Sequence, residues 1–110
     1  MFVFRKIYPF TWPVQVPEGV VPAFEFTARF ESIPQSKLDE MVKEDGQLLD
    51  SKVAALVFKG WNEGEILGED NQPLAATPEN VAAVLDQPFL RGPIVRAYFA
   101  AMNGLLRAKN

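Results

Sequence analysis

Residues Phe24-Glu25-Phe26-Thr27-Ala28-Arg29-Phe30-Glu31 alternate apolar and polar side chains without a break. A period of two puts every apolar side chain of such a segment on one face of an extended strand. Phenylalanine and threonine also favour the pleated surface. Upstream, Phe10-Thr11-Trp12-Pro13-Val14-Gln15-Val16 alternates in the same way and places Phe10, Trp12, Val14 and Val16 together. Pro13 has no N–H, so this segment belongs at a sheet edge or at a bulge. The intervening Pro17-Glu18-Gly19-Val20-Val21-Pro22 has turn composition. The pattern therefore predicts an antiparallel hairpin over residues 10–16 and 24–32, with a further short strand from Phe2 to Ile7.

After Pro34 the period changes. Ser36-Lys37-Leu38-Asp39 resembles a capping box, and Leu38, Met41 and Val42 follow at helical spacing, which predicts a helix over 35–44 broken by Asp45-Gly46. A second helix is predicted over 48–59, with Leu49, Val53, Leu56 and Val57 on one face and Gly60 as its left-handed C-terminal cap. Trp61 to Ala76 reads as a compact connection rich in Gly, Asn, Asp and Pro. Thr77-Pro78 supplies an N-cap and a proline at the first helical position, so a third helix over 78–86 should bury Val81, Val84 and Leu85. Gly92-Pro93 repeats the start signal for a last helix over 92–107, whose stripe is Val95, Tyr98, Phe99, Met102, Leu105 and Leu106. Strands first and helices after give an α+β class, and 110 residues without a linker or repeat give a single domain, 1–110.

The chain contains no histidine and no cysteine. That removes Cys/His nucleophile–base pairs, zinc and haem ligation, iron–sulfur clusters and disulfides, and leaves the redox compartment unreadable. A net charge of −3 gives no electrostatic footprint for nucleic acid. No apolar run approaches the roughly 20 residues of a membrane span, and a signal-peptide core is missing, so a soluble cytoplasmic protein is expected. Charge is nevertheless segregated. Gly60 to Leu90 carries Glu63, Glu65, Glu69, Asp70, Glu79 and Asp86 without a base, and the stretch from Arg91 onward carries Arg91, Arg96, Arg107 and Lys109 without an acid. Such an arrangement suits head-to-tail contact between copies.

Carboxylates are the remaining source of chemistry. Glu63, Glu65, Glu69 and Asp70 form the dense acid cluster, but they miss the spacing of a calcium loop, and a small carboxylate-dependent hydrolase would need them to converge in a pocket. Gly60, Gly64 and Gly68 match neither a phosphate loop nor a dinucleotide fingerprint. The residues thus predict no catalytic group, no metal and no cofactor, and favour a binding or assembly module over an enzyme. Trp61 reads as core or as an exposed anchor for a partner. Were there an interface, it would use Trp61 and the exposed side of the last helix: Arg96, Asn103 and Arg107.

The order of several short motifs adds to this. Phe10 to Val16, Phe24 to Phe30, Gly60-Trp61, Asp70-Asn71-Gln72-Pro73-Leu74, Thr77-Pro78-Glu79-Asn80 and Ala97-Tyr98 together resemble the phage tail assembly chaperones of long-tailed phages and prophages. The resemblance spans nearly the whole chain. It implies a non-enzymatic chaperone that binds the aggregation-prone tape-measure protein, keeps it soluble, and gives way as tail-tube subunits polymerise around it. It further implies a homo-oligomer in the host cytoplasm that is absent from the mature virion. The alternative in the same setting is a structural tail or connector subunit retained in the particle. Family members are also made in a longer form by −1 frameshifting, through which contact with the tail-tube protein would be made. Ala108-Lys109-Asn110 can be encoded as a slippery heptamer, so a longer product is expected here too.

Overall fold

The computed structural model describes residues 1–42 and 50–104. Strand β1 (Pro9–Val16) and strand β2 (Phe24–Glu31) pair antiparallel, from Pro9 opposite Glu31 to Val16 opposite Phe24. The alternation is reproduced in burial: Val14, Val16, Phe26, Ala28 and Phe30 are buried, while Thr11, Gln15, Glu25 and Arg29 are exposed. The strand expected from Phe2 to Ile7 does not form. The Tyr8 hydroxyl accepts from Arg5 N–H (2.6 Å) and donates to Val3 C=O (3.2 Å), so this segment is turned by local bonds. The sheet starts only where Ser32 N–H donates to Tyr8 C=O (3.0 Å).

A third strand, β3, runs over Phe58–Trp61 and gives the sheet order β1-β2-β3. This corrects the helix expected over 48–59. Helix α2 is Asp50–Val57, and Phe58 and Lys59 belong to the sheet. Gly60 is not a helix cap. Phe58 lies opposite Phe30, Gly60 opposite Arg29 and Trp61 opposite Ala28, so Lys59 is an extra residue in a β-bulge. The bulge has a clear use. Residues three apart on a regular strand face opposite ways, yet Phe58 and Trp61 are both buried, and the additional residue brings both to the core face.

Helix α1 covers Gln35–Glu40, shorter than the 35–44 expected. Met41 N–H to Leu38 C=O and Val42 N–H to Asp39 C=O tighten its end. The capping box is also corrected. Pro34 holds the N-cap position, no side chain caps the helix, and Asp39 instead accepts from Gln35 Nε2 (3.0 Å). Residues 43–49, with the Asp45-Gly46 break and Leu49, lie outside the described residues. Helix α3 (Pro78–Leu85) starts as read: Thr77 Oγ1 accepts from Asn80 N–H at 3.2 Å with proline first in the helix. Helix α4 covers Pro88–Met102, beginning before the expected Gly92 and keeping Pro93 inside. Pro88 is the stronger start because the first four N–H groups of a helix have no partner anyway. Pro93 costs one bond, toward Phe89, and its ring is buried. Gly104, at φ 70°, stops the helix short of the expected residue 107, and Leu105, Leu106 and Arg107 lie outside the described residues.

The architecture is α+β, with α2 and α4 laid on the apolar face of the sheet. Trp61, Tyr98, Phe26, Phe30, Phe58 and Ile94 form the centre of the core. Among the described residues no helix is long and apolar enough to cross a membrane.

Candidate functional site

The connection between β3 and α3 is strapped to the sheet by Trp61 and to α3 by Asn80. Trp61 Nε1–H donates to Leu74 C=O (2.9 Å), and Asn80 Nδ2–H donates to Ala75 C=O (2.8 Å). Leu74 N–H to Ile66 C=O (2.8 Å) and Gly68 N–H to Gln72 C=O (2.9 Å) close a small hairpin whose turn places Asn71 at φ 62°. Asparagine is among the few side chains that enter this region readily. Asp70 Oδ1 accepts from Gln72 N–H (3.0 Å) and completes the turn.

The acidic residues of this connection do not converge. Among the described residues no three acidic side chains meet in a metal-holding geometry. Glu63 lines a shallow cleft with Arg29 and Leu74, and Asp70 is engaged in its turn. Glu65 reaches the sheet, where its carboxylate accepts from Thr27 N–H (2.6 Å) and lies 3.5 Å from Thr27 Oγ1.

That contact closes a sheet edge. Thr27 C=O accepts from Asn62 N–H (3.3 Å), so both main-chain groups of Thr27 face away from β1. Its opposite number Pro13 must then point outward, as must Pro9, Thr11 and Gln15. Two of these four positions are prolines without an N–H, which makes β1 a poor template for an added strand. Glu65 does the same for β2 beyond the end of β3. Replacing Glu65 with alanine should lower the urea midpoint by an amount equivalent to about 1 kcal/mol, since an exposed charge-assisted bond is lost. It should also raise the rate of aggregation. An unchanged aggregation rate would show that the carboxylate does not guard the edge.

The residues singled out for an interface separate. Trp61 is 1% exposed and belongs to the core, which corrects its placement on a partner-binding surface. Arg96 is exposed on α4 and lines a shallow depression with Phe24, Glu25 and Val16. Asn103, at the end of the same helix, lines a different groove, and Arg107 lies outside the described residues. The ion pairs Lys37–Glu40 (3.8 Å) and Lys59–Glu31 (3.9 Å) are exposed and contribute little.

Sequence reasoning missed two further apolar concavities beside the helices. A cleft of about 310 Å³ lies between α2, β3 and α3, lined by Ala55, Phe58, Ala76, Val81, Ala82 and Leu85, with Lys59 and Pro78 at its margin. Its alanines keep the walls low. The signal for it was the unbroken apolar run Val81-Ala82-Ala83-Val84-Leu85, which is more than one buried face needs. A groove of about 490 Å³ lies between α1 and the end of α4, lined by Ile33, Leu38, Val42, Tyr98, Phe99 and Met102, with Gln35, Asp39 and Asn103 around it. Met102, in the apolar stripe of the last helix, is 43% exposed, and Val42, just after α1, is 40% exposed.

Tyr98 forms the base of that groove. Its hydroxyl accepts from Ile33 N–H (3.1 Å), and its ring packs edge-on against Phe30 and Phe99. Burial pushes the phenol above its ordinary 10.0, and the Ile33 hydrogen bond offsets part of the rise. The unfolded chain therefore releases this proton first. The stabilisation is complete below pH 10.0 and is lost as pH rises through the folded value. As pH rises above 10.0 the native chain should lose more stability than Tyr98→Phe, measured by urea unfolding. Equal losses would remove Tyr98 as the source.

No family model matches this chain, and neither a curated protein nor a solved structure matches it.

Proposed function

We propose that this chain is a non-enzymatic assembly chaperone that binds an apolar helical segment of the phage tape-measure protein and keeps it soluble during tail assembly. The observation that carries the reading is the α2/α3 cleft. It is apolar, open, floored by Phe58 and Leu85, and walled by Ala55, Ala76 and Ala82. Small wall residues allow the backbone of an amphipathic helix to approach closely, and the cleft takes the apolar side chains of one helix face. Leu56, 42% exposed on α2, extends the apolar surface beside it. The resemblance in motif order supports the same reading, because Ala76 ends the strapped connection between two of those motifs and Pro78, in the second of them, opens α3.

In this proposal the chain works in the host cytoplasm as a homo-oligomer, leaves before the virion matures, and has a frameshifted longer form that contacts the tail-tube protein. The test is co-expression with the longest helical open reading frame downstream of its gene. The partner is expected to become soluble and to co-purify. Ala55→Arg and Ala82→Arg, both at exposed positions, should abolish co-purification while circular dichroism stays unchanged. A partner that is soluble alone and ignores this chain would overturn the proposal and leave the virion-subunit reading in its place.

A further inference from the structure

The segment Met1–Ile7 forms neither strand nor helix, yet it carries Phe2, Val3, Phe4 and Ile7, each at least half exposed. Phenylalanine side chains left in water represent unused apolar area, and a contiguous group of them marks a contact surface. The segment is anchored firmly at its base. Tyr8 N–H donates to Ser32 Oγ (2.9 Å), Ser32 N–H returns a bond to Tyr8 C=O (3.0 Å), and the Tyr8 hydroxyl holds Val3 and Arg5. Phe2 stacks on the Tyr8 ring with centroids 6.2 Å apart. None of these seven residues lines the α1/α4 groove of its own chain.

We infer that the arm Met1–Ile7 of one copy occupies the α1/α4 groove of a second copy. The inference names the surface for the self-association proposed above and rests on that part of the reading. Three observations converge on a second copy as the occupant. The chain presents an exposed apolar arm and an apolar groove whose Val42 and Met102 are 40% and 43% exposed, and among the described residues the arm does not line that groove. Arg5 and Lys6 follow the arm's phenylalanines, and Asp39 lines the groove on α1, so the charges are complementary. Strand addition is disfavoured at the β1 edge by Pro9 and Pro13, which directs association to side-chain surfaces.

The absence of cysteine makes the test clean. Chains carrying Phe4→Cys are mixed with chains carrying Leu38→Cys under mild oxidation, with Lys52→Cys, on α2, as the control in place of Leu38→Cys. The Phe4→Cys and Leu38→Cys mixture should give a disulfide-linked heterodimer in clear excess over the control mixture. Phe2→Ser/Phe4→Ser should raise the dissociation constant for self-association roughly tenfold or more in sedimentation equilibrium. Added salt should weaken association further, since part of the attraction is between exposed charges. Equal cross-linking with the control, or a monomeric cross-link in a chain carrying both Phe4→Cys and Leu38→Cys, would overturn the inference. The second result would place the arm in its own groove. Neither outcome touches co-purification of the tape-measure protein, so failure of the arm contact and failure of the chaperone reading are told apart.

Discussion

Trp61→Ala should unfold a large fraction of this protein at physiological temperature. The indole is 1% exposed, packs 6.1 Å from the Phe58 ring, and donates from Nε1 to Leu74 C=O. Removing a buried aromatic costs about 3–5 kcal/mol through lost transfer energy and the cavity left behind. The orphaned Leu74 carbonyl adds about 1 kcal/mol unless water reaches it. A domain of this size has roughly 5–15 kcal/mol in total, and each kcal/mol moves the melting temperature by roughly 4–8 °C. The melting temperature is therefore expected to fall by about 15 °C or more. Trp61→Phe separates the two contributions, since it keeps most of the ring and deletes the N–H. A fall below about 5 °C in Trp61→Ala would mean that the core closes over the gap and that the strap to Leu74 is dispensable.

The same residue shows where the sequence was readable and where it was not. The β1–β2 hairpin was legible because one face of each strand is buried and the other wet, so a period of two survives in the composition. Helix α3 was legible because Thr77 and Pro78 act locally, within one turn of the helix they start. Strand β3 was hidden. Phe58-Lys59-Gly60-Trp61 does not alternate, since the bulge that lets both aromatics face inward is a feature of pairing with β2 and leaves no periodic trace. A glycine after a helical run is the ordinary mark of a C-cap, and only the pairing with Arg29 shows that Gly60 serves a bulge. Gly92-Pro93 reads as the start of α4, and residue type alone does not show that the Pro93 ring is buried inside a helix opened by Pro88.

The candidate surfaces were less legible for a different reason. A concavity is an absence of cover, and no residue type announces it. Ala55 and Ala82 make the α2/α3 cleft by being small on exposed faces, and in a helix alanine needs no special explanation. Met102 and Val42 were readable as apolar, but whether a neighbour covers them depends on where α1 ends. Trp61 went the other way. Tryptophan is favoured both in cores and at hot spots, and its indole N–H finds a partner inside the molecule in the Leu74 carbonyl.

Gly60→Ala should destabilise nearly as strongly as the loss of Trp61, for an unrelated reason. Gly60 sits at φ 143°, a backbone conformation that side chains with a Cβ rarely adopt. A Cβ there would also lie 2.7 Å from Ala76 Cβ, closer than van der Waals contact allows. Backbone strain of this kind costs about 1–3 kcal/mol, and forcing a methyl into a packed contact costs another 1–3 kcal/mol or so. Gly60→Ala is thus expected to lose about 2–6 kcal/mol, read as a lower urea midpoint at unchanged slope. Ala76→Gly removes the atom struck and leaves the φ strain in place. In the double variant Gly60→Ala/Ala76→Gly the packing part should be recovered and the strain part should persist, giving a coupling energy of about 1 kcal/mol or more between the two sites. Zero coupling would mean that the bulge relaxes away from Ala76. The close approach would then not hold the connection against β3, and the α2/α3 cleft, which has Ala76 in its wall, would lose one of its fixed sides.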